Sequence, residues 1–263
     1  MMPFDHEAER VLYEKNPLDA VVCQLKFPTI LRVESELPSD FQDRIRGAFP
    51  LFNETPAGQM PIQLPIPAEI AKILGRQLDA ATGRKYSFVS EDKSWQVSLS
   101  RESLALTCRK YIRWETFEDR LRTPLFAFSE LYRPSFFSRV ALRYRNLIRR
   151  SALGIAERPW SALLRTEIAG ELAAHDMSQN ISMLRKEILF DLRDGMQARM
   201  LQGFVMINGE QAYMIDTDFF STQKTEVDYA WQRLGTFNKY ARWIFRRCIS
   251  DELHSAMGPR PIQ

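Results

Sequence analysis

Apolar and polar side chains alternate in several short segments of the chain, and this period of two predicts β-strands. In residues 20–27 the odd positions are apolar, whereas Gln24 and Lys26 lie at even positions. Proline-rich residues 50–67 predict an extended, irregular insertion, because proline lacks the N–H that a helix interior requires. After this insertion, the alternation predicts a three-strand meander at residues 86–90, 94–100 and 103–110.

Other segments carry apolar residues three or four positions apart, the spacing that predicts amphipathic helices. Long helices are predicted over residues 115–132 and 225–248, and shorter ones over residues 39–49, 68–78 and 159–172. In the last long helix we expect an apolar stripe that includes Trp231 and Phe237 to face the core. Further strands are predicted at residues 137–148, 183–190, 197–207 and 211–219, and the turn Asn208-Gly209 joins the last two.

The order of predicted elements repeats, because each half of the chain reads strand, helix, three strands, long helix. We therefore predict an α+β fold of two βαβββα halves, residues 1–133 and 134–263, that share one core. Their first strands should pair in a curved, mostly antiparallel sheet with the long helices on one face. Such a pseudo-duplication would be TATA-binding-protein-like or helix-grip-like, and a single α+β domain without internal symmetry is the alternative.

The overall charge does not identify a partner, since 36 Lys and Arg against 33 Asp and Glu give a net charge of +3. The three cysteines, Cys23, Cys108 and Cys248, lie far apart in apolar segments, so we expect reduced thiols and a cytoplasmic protein. The N-terminus lacks the basic and apolar regions of a signal peptide, and no apolar run is long enough to cross a membrane. We therefore expect no membrane partner.

The strand predicted at residues 137–148 separates arginines from apolar residues. One face of this segment and its continuation carries Arg139, Arg143, Arg145 and Arg149, and the other carries apolar residues and Tyr144. No acidic residue occurs between Glu130 and Glu157, so no neighbour along the chain neutralises these arginines. Pairing with the strand at residues 20–27 would place Gln24, Lys26 and Arg109 beside them. The resulting polar face would suit phosphates, an anionic ligand or an acidic surface.

Each group of basic residues also has a purely structural interpretation. The arginines of the predicted strand could pair with carboxylates of neighbouring strands, such as Glu187 or Asp191. Lys239, Arg242 and Arg246 form a secondary basic face in the last long helix. Cations near the C-terminus of a helix interact favourably with its dipole, so a solvated helix flank is the alternative there.

The sequence holds few signals of catalysis. His6, His175 and His254 lie at a terminus, in a predicted loop and in the tail, without ligands at the spacing of a zinc site. No glycine-rich nucleotide motif and no Gly-x-Ser-x-Gly motif occurs. We therefore expect neither a metal nor a cofactor, and the sequence assigns no catalytic residue.

Three stretches of the chain carry a resemblance to other proteins: residues 13–28, 137–146 and 249–253. The first contains Tyr13-x-x-Asn16-Pro17-Leu18, and the second is similar to an Arg-x-Gly-Leu-Arg-Tyr strand, with Ala141 in place of the glycine. Over essentially its whole length the chain resembles a sporadically distributed family of uncharacterised bacterial conserved hypothetical proteins, in which arginine stands at the position of Lys26. This resemblance implies no assigned activity, and the patchy distribution suggests mobile or defence-associated loci.

Two hypotheses for the function follow from these residues. The first is a non-enzymatic binding or adaptor protein whose partner is anionic, either an acidic protein surface or nucleic acid. The alternative is a sensor of a small anionic ligand, or a metal-independent enzyme acting on RNA or a phosphorylated substrate. In that case Arg109, Arg143 and Arg145 would lie in a pocket between the sheet and the last helix. Tyr144 points away from the arginines on either side of it and would join them only through a β-bulge.

Overall fold

A large antiparallel sheet forms the centre of the fold. The computed structural model describes residues 9–55, 83–174 and 176–262 of the chain. In these residues the strands are β1 (Val11–Tyr13), β2 (Leu18–Lys26), β3 (Leu51–Thr55), β4 (Lys85–Val89), β5 (Trp95–Ser100), β6 (Ser103–Cys108), β7 (Arg139–Ile148), β8 (Arg185–Asp191), β9 (Met196–Ile207), β10 (Glu210–Ser221) and β11 (Pro259–Pro261). Nine of them form one sheet in the order β3-β4-β5-β6-β2-β7-β10-β9-β8, and β1 pairs with β11.

Two long helices pack on one face of this sheet. The helices are α1 (Arg32–Ser35), α2 (Ser39–Ile45), α3 (Trp114–Tyr132), α4 (Arg150–Leu153), α5 (Trp160–Leu163), α6 (Thr166–Ala169), α7 (Ala230–Cys248) and α8 (Asp251–Ala256). Residues at helical spacing, such as Phe117 and Leu121 in α3 and Leu234 and Phe237 in α7, are buried in one core with the sheet. The mixed α+β class and the mostly antiparallel sheet are therefore confirmed. None of the helices in the described ranges combines the length and apolar content that a membrane crossing requires.

The predicted pairing of the two first strands is confirmed at the middle of the sheet. Cys23 of β2 lies opposite Leu142 of β7, and Leu25 lies opposite Val140. All four side chains are fully buried, because the alternation turns them toward the helices. We call this side of the sheet the helix face. The opposite side carries Arg139, Arg143 and Arg145 and is called the arginine face. All three cysteines are buried and form no disulfide, as their apolar segments predicted.

The last long helix begins at Ala230 rather than at residue 225. Thr225 instead exchanges two backbone hydrogen bonds with Phe137, of 2.8 and 3.0 Å, and this bridge holds its backbone in an extended conformation. The helix predicted over residues 159–172 is likewise divided into α5, α6 and a 3-10 turn at Gly170–Ala173. Leu164 interrupts it because its backbone forms a β-bridge with Ile249. Long-range backbone pairing therefore overrides the local helical pattern at both places.

The structure differs from two further predictions, the burial of Trp231 in the core and the irregular conformation of the proline-rich stretch at residues 50–67. Trp231 is half-buried at the flank of α7, and the guanidinium carbon of Arg122 lies 5.5 Å from the centre of its ring. The proline-rich stretch begins with the regular strand β3, which pairs with β4. The rest of that stretch and the predicted helix over residues 68–78 lie outside the described residues.

Candidate functional site

Carboxylates neutralise the arginines of β7. Arg143 donates two hydrogen bonds to Asp216, of 2.7 and 2.5 Å, and Arg139 donates one of 2.7 Å to Asp218. Arg145 donates from Nε to Asp19 over 2.9 Å. Just beyond the strand, Nε of Arg149 donates to Glu210 over 3.1 Å. As predicted, no residue nearby in the sequence neutralises these arginines. Carboxylates that are distant in sequence neutralise them instead.

The ion pairs of the arginine face are largely buried. Arg143 is 8% exposed, Arg145 is 7% exposed and Asp216 is 3% exposed. Burial raises the pKa of the Asp218 carboxyl, and the charges of Arg139 and Arg143 counter part of that shift. These side chains therefore neutralise one another inside the sheet and do not form an open cationic surface.

The structural interpretation, in which carboxylates of other strands pair with these arginines, is confirmed. The predicted partners, Glu187 and Asp191, are wrong. Glu187 and Asp191 lie on β8, separated from β7 by two strands, and they contact Arg199 and Gln197 of β9. The strand register places two of the other predicted residues of this face, Gln24 and Lys26, beside the arginines of β7. Gln24 is buried, with Ala141 as its Cα partner on β7, and Lys26 is half-buried opposite Arg139. Arg109 follows the end of β6 and is half-buried.

A cavity of about 230 Å³ lies on the helix face, between the middle of the sheet and α7. Alternate residues of β7 and β10 form its floor, because a period of two turns them to the same side. Residues of α7 three or four positions apart form its wall. The floor contains Tyr144, Asn146, Ile215, Thr217 and Phe219, and the wall contains Asn238, Ala241, Arg242, Phe245 and Arg246.

The remaining wall of the cavity comes from the two ends of the described chain and from the connection between β6 and α3. The β1–β11 pairing brings these ends together, so Tyr13 and Ile262 both line the cavity. In the connection, Asn16 Nδ2 donates to the carbonyl oxygen of Tyr111 over 3.0 Å. Asn16 Oδ1 also accepts from the backbone N–H of Leu18 over 3.0 Å, which fixes the turn before β2. This asparagine therefore ties the start of the central strand to the Tyr111 side of the cavity.

Positive charge dominates the lining of the cavity. Four arginines line it, Arg10, Arg113, Arg242 and Arg246, against one carboxylate, that of Glu9. Arg10 pairs with Glu115 and Arg246 pairs with Asp251, and both of these carboxylates lie outside the lining. Arg113 forms no ion pair with any described residue. Cationic side chains outnumber anionic ones in the lining even though two of the arginines have carboxylate partners, and such an excess attracts anions into a cleft.

The buried end of the cavity holds polar groups with capacity for a ligand. The Tyr144 hydroxyl donates to Asn238 Oδ1 over 3.1 Å. Burial raises the pKa of both Tyr144 and Tyr111, and the charge of Arg242 lowers it in each case by a smaller amount. Asn238 Nδ2 and the Thr217 hydroxyl form no hydrogen bond with any described residue. These two groups can donate to an acceptor inside the cavity.

A tyrosine and a histidine meet at the side of the cavity formed by the chain ends. The Tyr13 hydroxyl and His254 Nδ1 are 2.8 Å apart and share a hydrogen bond. Burial raises the pKa of Tyr13 to about 12. Burial and then the charge of Arg246 lower the pKa of His254. Both shifts favour the uncharged forms of these side chains, so the formal charges of the lining come from its arginines and Glu9.

The sequence predictions identified only part of this cavity. Arg242 and Arg246 line it, whereas Lys239 is exposed elsewhere on α7. Tyr144 lines the cavity together with Arg242 and Arg246 of α7. No β-bulge is needed, because these arginines do not belong to the strand of Tyr144. The expectation that Arg143 and Arg145 converge in a pocket beside the last helix is wrong, since they lie on the arginine face.

Sequence reasoning missed the residues that the chain ends contribute, among them Arg10 and His254. One signal could have found this side of the cavity. The motif Tyr13-x-x-Asn16-Pro17-Leu18 contributes all four of its named residues to the lining.

The chain matches no model of a known protein family, and a search of curated proteins finds no significant match. The resemblance to a family of bacterial proteins stays a prediction, and the interpretation of the cavity rests on its own geometry.

Proposed function

We propose that this protein binds a small organic anion in the cavity between the sheet and α7. The observation that carries this proposal is the lining itself, in which arginines surround a partly apolar cleft with unused donors at its buried end. Guanidinium groups form forked, charge-assisted hydrogen bonds with carboxylates and phosphates. Ile215, Phe219 and Phe245 offer apolar contact to the rest of such a molecule.

The size of the cavity supports a small ligand. Its volume of about 230 Å³ is less than the roughly 300 to 1,000 Å³ of pockets that hold drug-sized molecules. A carboxylate or phosphate group on a compact apolar or aromatic body fits these dimensions. The aromatic rings of Tyr111 and Trp114 at one side favour a planar body.

The adaptor hypothesis has less support. That hypothesis requires unpaired arginines on the arginine face. Arg139, Arg143 and Arg145 all form ion pairs on this face. An acidic partner or a nucleic acid would have to displace carboxylates from buried pairs, at the cost of leaving those carboxylates without their partners. We therefore place the functional site on the helix face.

Substitution of Arg242 by Gln should weaken binding of a small organic anion by about 10- to 100-fold, because a hydrogen bond to a charged group contributes roughly 1.5 to 3 kcal/mol. Calorimetry and thermal shift with benzoate, phenyl phosphate and other small carboxylates and phosphomonoesters would measure this effect. Benzamide, the uncharged analogue of benzoate, should bind far more weakly than benzoate. A ligand at about 100 times its dissociation constant should stabilise the wild type by roughly 2.7 kcal/mol.

Arg247→Gln is the matched control, since Arg247 lies on the same helix but outside the lining. Its guanidinium lies over the ring of Trp243 instead. Binding that falls equally in both variants, or a wild type that binds no anion of the panel, would remove the cavity as the functional site.

We also infer that the two halves of the fold are copies of one unit, with the helix-grip-like arrangement of a long helix over a curved sheet. From the middle of the sheet outward, the order β2-β6-β5-β4 in one half matches β7-β10-β9-β8 in the other. A helix of 19 residues follows each set, α3 in the first half and α7 in the second. This correspondence supports the predicted duplication, and β3 is an addition to the first half.

A further inference from the structure

The outer strand β8 has a free edge among the described residues. It pairs with β9 on one side and is the last strand in the order of the sheet. Apolar side chains remain in solvent there, since Leu189 is 51% exposed and Ile188 is 36% exposed. Exposed, unpaired strand edges are templates for pairing with another strand.

The backbone hydrogen bonds to β9 show which residues of β8 point toward this free edge. The carbonyl oxygen of Leu184 accepts from the N–H of Phe204 over 3.0 Å, and the N–H of Leu192 donates to the carbonyl oxygen of Met196 over 2.9 Å. Hydrogen-bonded positions alternate along an antiparallel ladder, so the even-numbered residues between these two also bond to β9. The backbone groups of residues 185, 187, 189 and 191 therefore point outward.

We propose that β8 joins two copies of this chain, edge to edge and antiparallel, about a two-fold axis at Ile188. In this register Arg185 lies opposite Asp191 of the second copy, and Glu187 lies opposite its Leu189. All of these are outward-pointing residues, so each can bond to the backbone of the residue it faces. The two ends of the strand pair would each carry one Arg–Asp ion pair, as a symmetric interface requires.

Charge selects this register over its neighbours. Because outward-pointing residues must face one another, the register can shift only in steps that keep odd positions opposite odd positions. A shift in one direction places Glu187 opposite Glu187 of the second copy, and a shift in the other places Glu187 opposite Asp191. Like charges directly opposite each other destabilise a strand pair, so the register centred on Ile188 is favoured over both adjacent registers.

The charged groups already in contact with β8 leave this pairing possible. Arg185 forms no ion pair with any described residue. Asp191 accepts one hydrogen bond, of 2.9 Å, from Gln197, and a carboxylate has sites for more. Glu187 lies 3.5 Å from Arg199 of its own sheet, and Lys186 pairs with Glu171 on the helix face.

Cross-linking of Ile188→Cys tests the register directly. Only residue 188 lies opposite its own copy, where opposite Cβ atoms are about 4.5 to 5.5 Å apart, so oxidation should yield a covalent dimer. Leu189→Cys is the matched control, because its copy lies diagonally, about 7 to 8 Å away, and should form far less dimer. The native cysteines are buried and should not compete. Equal cross-linking of both variants, or none of Ile188→Cys, would overturn the proposal.

Charge reversal tests the interface without a new cysteine. A single strand pair buries less area than stable dimers usually do, so association should rise with protein concentration in sedimentation velocity. Arg185→Asp and Asp191→Arg should each weaken association at least tenfold, and the double variant should restore it, because the swap recreates both ion pairs. A wild type that stays monomeric, or a double variant no better than either single one, would contradict the proposal.

Discussion

Replacing Asp216 by Ala should lower the free energy of unfolding by about 3 to 5 kcal/mol, because it leaves a buried charge without its partner. Arg143 is 8% exposed, and it donates two side-chain hydrogen bonds to this carboxylate. Because so little of Arg143 is exposed, water replaces the lost acceptor far less readily than it would at the surface. Urea unfolding at neutral pH, followed by circular dichroism, would measure the loss.

Two variants make this expectation specific. Arg143→Met combined with Asp216→Leu removes both charges, so it should recover most of the stability that Asp216→Ala loses. Glu252→Ala breaks the solvent-exposed pair with Arg158 and should change stability little, since exposed ion pairs contribute little. A loss for Asp216→Ala no greater than for Glu252→Ala would show that the arginine face is accessible to solvent after all.

Phe237→Ala should cost about 3 to 5 kcal/mol of stability, because removal of a fully buried ring leaves a cavity that the core fills only in part. The ring is 0% exposed, and its centre lies 6.4 Å from that of Phe219 on β10. Trp231→Ala should cost clearly less, although tryptophan is larger. Its side chain is half-buried at the flank of α7, with Arg122 over its ring.

Chemical denaturation of both variants compares the two positions on the same helix. A Trp231→Ala loss as large as that of Phe237→Ala would mean that α7 is rotated relative to the sheet. The orientation of Arg242 toward the cavity would then be in doubt as well, because all three residues lie on α7.

The local pattern of the chain was sufficient to predict most elements and the side of the sheet that each residue faces. Alternation in β7 correctly separated Arg143 and Arg145 from Leu142 and Tyr144. The spacing of apolar residues predicted α3 to within one residue of its observed start. Both signals depend on neighbours a few positions apart, and those positions are fixed by backbone geometry alone.

The tertiary structure alone decided which groups meet. Asp216 lies 73 positions from Arg143, and Asp19 lies 126 positions from Arg145, so only the order and register of the strands bring them together. The cavity likewise joins Tyr13, Tyr144 and Arg242 from three distant parts of the chain. The periodicity of apolar residues can be predicted from the sequence because it depends only on residues a few positions apart. The ion pairs and the cavity lining depend on contacts between distant segments, and no local pattern encodes those contacts.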